Sequence, residues 1–294
     1  MEFTKNYKKE YSSSSEFKER YKNYLNNLQE IKRSFIPTNK NLKFGINKFA
    51  DLSKEEFAEK YLTLDPEITR DLVTIDPDNL GLEDIDAPES WDWTEQGIRT
   101  KLKYQLECGG CWAFATSAVI ESQYQMNYGQ NYSFSEQQLI DCDMSNNQCA
   151  GGNMKKAFIY LQSNGLMLAD DYPFIGGPGE CQYDENKTYV KVKSWSFLPK
   201  DEELMKKALY KYGPIASGIN AWVLEFYVSG VFEPFFDFLC PSLVNHAVVI
   251  VGYGIEEGTG KKFWKIKNSW GDFWGEGGYF RLLRGEGTCG IDQY

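Results

Sequence analysis

The spacing of apolar residues changes several times along this chain. Phe17, Tyr21, Tyr24, Leu25, Leu28 and Ile31 recur every three to four residues, which predicts an amphipathic helix over 13–34 with these side chains on one face. Ser13 and Glu16 have capping-box spacing at its start, and Pro37 closes it. Residues 62–86 lose all period. Pro66, Pro77, Gly81 and eight acidic residues predict an extended link with no stable element. Phe114, Ala115, Ala118, Val119 and Tyr124 restore a helical face, predicting a long helix from Cys111 to about Tyr128. A capped short helix is expected over Phe134–Cys142. A tight turn at Cys149–Met154 should lead into a helix to about Asn164, and 201–212 gives one more helix. Beyond it, 244–254, 262–268 and 278–283 are β-branched and aromatic or alternate with polar residues, the signature of strands. A helical half followed by a β-rich half predicts an α+β protein of two lobes with a cleft between them.

Composition narrows the classes. The chain has 294 residues, 42% hydrophobic and 16% aromatic, enough for a large core and against disorder. Net charge is −10, which excludes nucleic acid as a partner, since phosphate binding needs clustered Lys and Arg. The charge is uneven: residues 1–60 carry +4, 61–86 carry −7 and the remainder −7. A basic front and an acidic body predict docking partly through charge, and hence release in acid as body carboxylates are neutralised. No apolar run is long enough to span a membrane. The start lacks an apolar leader core, so a leader is expected to have been removed, with Met1 not native.

Seven cysteines leave one over if six pair, and disulfides imply an oxidising compartment. Sequons at Asn131 and Asn186 point the same way, marking both as candidate glycosylation sites. The candidate chemistry centres on Gln105-Leu106-Glu107-Cys108-Gly109-Gly110-Cys111-Trp112. A cysteine opening a helix sits in a field that favours its thiolate, which is the nucleophile. Gln105 supplies an amide donor for an oxyanion. His246 is the chain's single histidine, 135 residues downstream. A thiol nucleophile needs a base that later protonates the leaving group, and His246 alone can do both near neutral pH. Asn268, in Lys267-Asn268-Ser269-Trp270-Gly271, can fix the ring through its amide oxygen, with Trp270 shielding that bond. No metal is expected: one histidine and no paired C-x₂-C sets offer no ligand cluster. No cofactor is called for.

These motifs resemble the papain-like cysteine proteases, nearest the cathepsin L-like branch with its inhibitory propeptide attached. Glu16, Arg20, Tyr24, Asn27 and Ile31 match the interspersed propeptide pattern, with Phe35 where its last Asn would stand and Tyr24 in place of Phe. Gly45-Ile46-Asn47-Lys48-Phe49-Ala50-Asp51 matches the second propeptide motif, and Trp274-Gly275-Glu276-Gly277-Gly278-Tyr279 matches the run after the asparagine. The resemblance implies a helical left lobe and a β-barrel-like right lobe, with an inhibitory prodomain at 1–60, an activation link at 61–86 and a peptidase domain at 87–294. It implies a prodomain tail crossing the cleft opposite to a substrate, and disulfides Cys108–Cys149, Cys142–Cys181 and Cys240–Cys289. It further implies a substrate path along Gly109, Gly151, Gly152, Asn245 and Trp270. The pocket for the second residue before the cut would be walled by Asn153, Met154, Val244 and Ala247, with Tyr294 at its floor, and would prefer an apolar side chain. The family usually continues past this point, so the floor is expected to be incomplete or mobile. Leu106-Glu107 departs from the small residues usual there, which bears on the set of the loop. The implied protein is a monomeric endopeptidase zymogen of a secretory, lysosomal or digestive-vacuole lumen. Its partners are peptide or protein substrates, its own propeptide and cystatin-like inhibitors. The competing readings are a non-catalytic homologue that binds rather than cuts, and an exopeptidase, which needs a cleft-blocking insertion that is not seen.

Overall fold

The computed structural model describes residues 2–33, 41–65, 80–234 and 240–293. Phe35, Pro37, Pro66, Pro77 and Tyr294 lie outside them, and with them the closing proline, the missing motif Asn, most of the acidic link and the expected pocket floor.

The front segment holds α1 (Glu2–Asn6), α2 (Ser14–Arg33), β1 (Lys43–Phe44) and α3 (Lys54–Tyr61). Ser13 caps α2, its Oγ accepting the Glu16 N–H at 3.1 Å. The Glu16 carboxylate reaches back to the Ser12 N–H at 2.7 Å, one residue earlier than a regular capping box would place it. The packed face of α2 is only part of the apolar one expected: Tyr24 and Ile31 pack against Phe3, Ala50 and Phe226. Phe17, Tyr21 and Leu25 are exposed, while Asn27 is buried. The reason lies in hydrogen bonding. Asn27 Nδ2 donates to the carbonyls of Ala50 and Leu52 at 3.0 and 2.8 Å, and Arg20 donates to Glu56 at 2.7 Å. This polar face holds the turn that precedes α3, whose buried carbonyls need donors. Helix α3 is closed by a complete capping box between Ser53 and Glu56.

The body follows as β2 (Trp91–Asp92), α4 (Cys111–Tyr128), α5 (Glu136–Cys142), α6 (Met154–Ser163), β3 (Leu166–Met167) and β4 (Thr188–Val190). It continues with α7 (Glu202–Tyr212), β5 (Ile215–Ile219), β6 (Tyr227–Ser229), β7 (Val231–Phe232), β8 (His246–Ile255), β9 (Lys262–Lys267) and β10 (Tyr279–Leu283). Helices α4–α6 form one lobe. In the other, β8 is the central strand, antiparallel to β2, β5 and β9, and β9 pairs antiparallel with β10. The first nine residues of β8 are buried and its last, Ile255, is exposed, so its continuous apolar run fits a strand covered on both faces. One face meets α4 and the helical lobe's core through Val249 and Val251; the other meets the core of the β lobe through Val248 and Ile250. Between the lobes Lys103 is bonded to Glu121 at 2.6 Å and to Glu136, a buried cation matched by two carboxylates.

Docking of the front on the body uses charge sparingly. Among the described residues, two ion pairs cross: Lys60–Glu107 at 3.1 Å and Asp65–Lys156 at 3.7 Å. The Lys9–Asp51, Arg20–Glu56 and Lys54–Glu30 pairs stay within the front. The contact is mainly aromatic. Phe49, Phe57 and Tyr61 set their rings 5.8, 5.2 and 6.1 Å from Trp270, and all four are buried. Each such pair contributes roughly 0.5–1.5 kcal/mol beyond its area, against about 0–1 kcal/mol for an exposed ion pair. The rings therefore dominate. Asn47 Nδ2 adds a bond to the Glu225 carbonyl at 2.6 Å, and β1 pairs antiparallel with β6.

Candidate active site

Cys111 is the first residue of α4, behind Gly110, and His246 is the first of β8. The two lobes thus each present one group at the start of an element. Cys111 is the free cysteine and is buried. His246 Nε2 lies 2.7 Å from Asn268 Oδ1. That oxygen also accepts the Ser269 N–H at 2.8 Å, which fixes the orientation of the amide. The Trp270 ring sits 4.7 Å from the imidazole centroid and is itself fully buried.

The other imidazole nitrogen, Nδ1, is 3.0 Å from the carbonyl oxygen of Tyr61, in the front segment. From there the chain runs through the cleft. Thr63 Oγ1 donates to the Gly109 carbonyl at 2.8 Å and lies 3.8 Å from Cys111 Sγ. The Gly152 N–H donates to the Thr63 carbonyl at 3.3 Å, and the Asp65 N–H to the Gly152 carbonyl at 3.0 Å. Leu64 pairs parallel with Gly152, and its N–H donates to the Asn245 carbonyl at 3.0 Å. A Cβ on Gly151 would stand 2.3 Å from the Thr63 oxygen, and Gly151 has φ +126°. Only glycine fits there. Leu64 is buried in a cluster with Met154, Val244 and Ala247. Asn153 caps α6, its Oδ1 accepting the Lys156 N–H at 2.9 Å.

This covering sets the protonation states. Burial pushes the Cys111 thiol up, against hydrogen bonds from the Ala247 backbone and Thr63. Burial pulls His246 down to about 4, although its bonds to Asn268 and Tyr61 favour the charged ring. At neutral pH both groups are therefore neutral under the front segment, and the ring has one proton to offer two carbonyl oxygens.

Gln105 is fully buried. Its Nε2 donates to the Cys108 carbonyl at 3.0 Å, and its Oε1 accepts from Ser269 Oγ at 2.7 Å. Leu106 follows with φ +53°, a left-handed conformation that costs a non-glycine residue about 1–2 kcal/mol. The loop holds nonetheless, with Leu106 packed against Gly176. Cys108–Cys149, Cys142–Cys181 and Cys240–Cys289 are disulfide-bonded. Asn131 and Asn186 are exposed, with Asn131 Nδ2 donating to the Arg99 carbonyl at 2.7 Å.

The sequence reading missed the specific cleft occupants, taking 62–65 as the start of a featureless link. Leu62-Thr63-Leu64, alternating directly after the capped helix α3, is the available signal. It also missed Ser269 as the anchor of Gln105. Among the described residues no cluster of metal-ligating side chains occurs, and no helix is long and apolar enough to cross a membrane.

Comparison with known proteins agrees with this geometry. Residues 87–294 match the model of the papain family cysteine protease, and residues 1–57 match the cathepsin propeptide inhibitor domain (I29). A viral cathepsin of Adoxophyes honmai nucleopolyhedrovirus is 37% identical over 302 residues, covering 99% of this chain and 87% of that one. Digestive procathepsin L2 from the larval midgut of Tenebrio molitor superimposes with a TM-score of 0.89 at 31% identity, covering 99% of this chain and 95% of its own. A recombinant stem bromelain precursor gives 0.86 at 32%, covering 99% and 94%. The chain belongs to the papain family of cysteine proteases, as a zymogen folded with its own inhibitory propeptide.

Proposed function

We propose that the processed enzyme is an endopeptidase that accepts an apolar side chain at the second residue before the cut. The observation that carries this is the chain's own Leu64, seated among Met154, Val244 and Ala247 while Thr63 lies against Cys111. Its parallel pairing with Gly152 supports a substrate running the other way along the same edge. With the propeptide gone, water and the helix dipole lower the Cys111 pKa, and the His246 nitrogen released by Tyr61 takes the thiol proton. The thiolate then attacks the peptide carbonyl and a thioester forms. Gln105 and the Cys111 N–H hold the oxyanion, and His246 passes its proton to the leaving amine. Asn268 keeps the ring oriented throughout. Water then attacks the thioester, giving up a proton to His246, and the regenerated thiolate leaves the acyl carbon.

The disulfides and exposed sequons support work in an oxidising lumen, secretory or digestive. The test is digestion of a mixed peptide library after propeptide removal, with an epoxide thiol inhibitor as the active-site label. Leucine, valine or phenylalanine should dominate two residues before the cut, and Cys111→Ala should lose the label while retaining its three disulfides. Cuts without that preference would remove the pocket assignment. A processed wild type that neither cuts nor takes the label would favour a binding role.

A further inference from the structure

The oxyanion loop carries a carboxylate that the reaction does not use. Glu107 stands two residues after Gln105, with its side chain 67% exposed. Its cationic partner within ion-pair distance among the described residues is Lys60 of the propeptide, at 3.1 Å. A second propeptide lysine, Lys48, lies 4.7 Å from the Tyr104 ring and 5.5 Å from that of Phe273, close enough for Glu107 to act on its charge. The inhibitory segment thus brings cations to this rim.

The position of the rim in the cleft follows from chain direction. Thr63 lies at the Cys111 sulfur, and Leu64 and Asp65 continue over Gly152. On the proposed function, the acyl half of a substrate occupies that Gly152 side. Everything before Thr63 then covers the leaving-group half. Tyr61 touches His246 through its carbonyl, and Lys60 is the next residue out. Removing the propeptide strips Glu107 of this partner and leaves its carboxylate exposed on the side of the cleft that takes the chain following the scissile bond.

We infer that Glu107 is a specificity-determining residue, selecting a lysine or arginine within the first three residues after the cut. The inference rests on the proposed endopeptidase reading and adds the leaving-group side to it. A pair this exposed supports a preference of about two- to five-fold, largely erased near 1 M salt, where the screening length falls to about 3 Å.

The test uses active-site-titrated processed enzyme and quenched peptides with leucine at the second position before the cut. Lysine, glutamine or glutamate is placed in turn at the first, second and third positions after it. In the wild type, kcat/KM should rank lysine above glutamine above glutamate at one of these positions, with the lysine-to-glutamine ratio falling toward one in high salt. The same ratio should fall to one in Glu107→Gln and below one in Glu107→Lys. Equal ratios in the wild type, or a lysine preference that survives Glu107→Gln, would overturn the inference while cleavage of the glutamine peptide leaves the endopeptidase reading standing. Failure of the wild type to cut any of the peptides would overturn both.

Discussion

The carbonyl oxygen of Tyr61 stands 3.0 Å from Nδ1 of His246, the nitrogen that Asn268 leaves free. The propeptide therefore does more than fill the groove: it occupies the atom that would receive the thiol proton. It also buries the thiol, so the charged couple on which the proposed mechanism depends is not the resting state of the zymogen.

Leu64 anchors this arrangement. Leu64→Ala in a separately added propeptide (residues 1–86) should weaken inhibition of the processed enzyme by about 30-fold or more, since truncating a buried leucine costs roughly 2 kcal/mol or above. Inhibition constants for the two peptides measure it. An unchanged constant would mean that the pocket contributes nothing to docking.

Acid should weaken the zymogen through His246. Its pKa falls from 6.5 to about 4 in the folded chain, so its contribution is full above pH 6.5 and is lost as pH falls through 4. The shift corresponds to about 3 kcal/mol. Glu225 acts in the opposite sense. Burial raises it well above 4.5, with Glu30 opposing its charge and Lys54 favouring it. Its cost is absent below 4.5 and grows as pH rises. With that opposing carboxylate removed, the melting temperature of Glu225→Gln should drop between pH 6.5 and 4, and the substitution itself should raise it at pH 7 but not at pH 4. A flat acid limb would contradict the first part, and an equal gain at both pH values the second.

Gln105→Ala in the processed enzyme should lower kcat by about 10²–10³-fold with a small change in KM, because its remaining amide hydrogen serves the oxyanion rather than the bound peptide. A loss confined to KM would assign Gln105 to ground-state binding.

Lys103→Met should destabilise the zymogen by about 3–5 kcal/mol, leaving Glu121 and Glu136 buried without their cation. Thermal unfolding of the two proteins measures it. Adding Glu121→Gln and Glu136→Gln to that variant should restore much of the loss.

Much of this was legible in the chain because the chemistry is written in residue types. A cysteine opening a helix, one histidine and an asparagine before Ser269-Trp270 left few alternatives, and the buried run of β8 announced itself by its length. What remained hidden was where polar groups pack. The packed face of α2 joins Arg20 and Asn27 to Tyr24 and Ile31, and periodicity of apolar residues alone shifts the expected face toward its flank, where Phe17, Tyr21 and Leu25 meet solvent. Charge asymmetry suggested ionic docking, whereas three rings around Trp270 do most of it. The five residues of α1 carry too short a pattern to be read from sequence.

The pairing of β1 with β6 outlasts its role in inhibition. Once the link is cut and Lys43–Phe44 depart, the backbone at Tyr227–Ser229 is left as a raw seam of unsatisfied donors and acceptors. At three residues it is too short to seed stacking between copies. It still fits the strand that has just left, so the severed propeptide remains a competitor until it is itself degraded, and full activity should trail the cut.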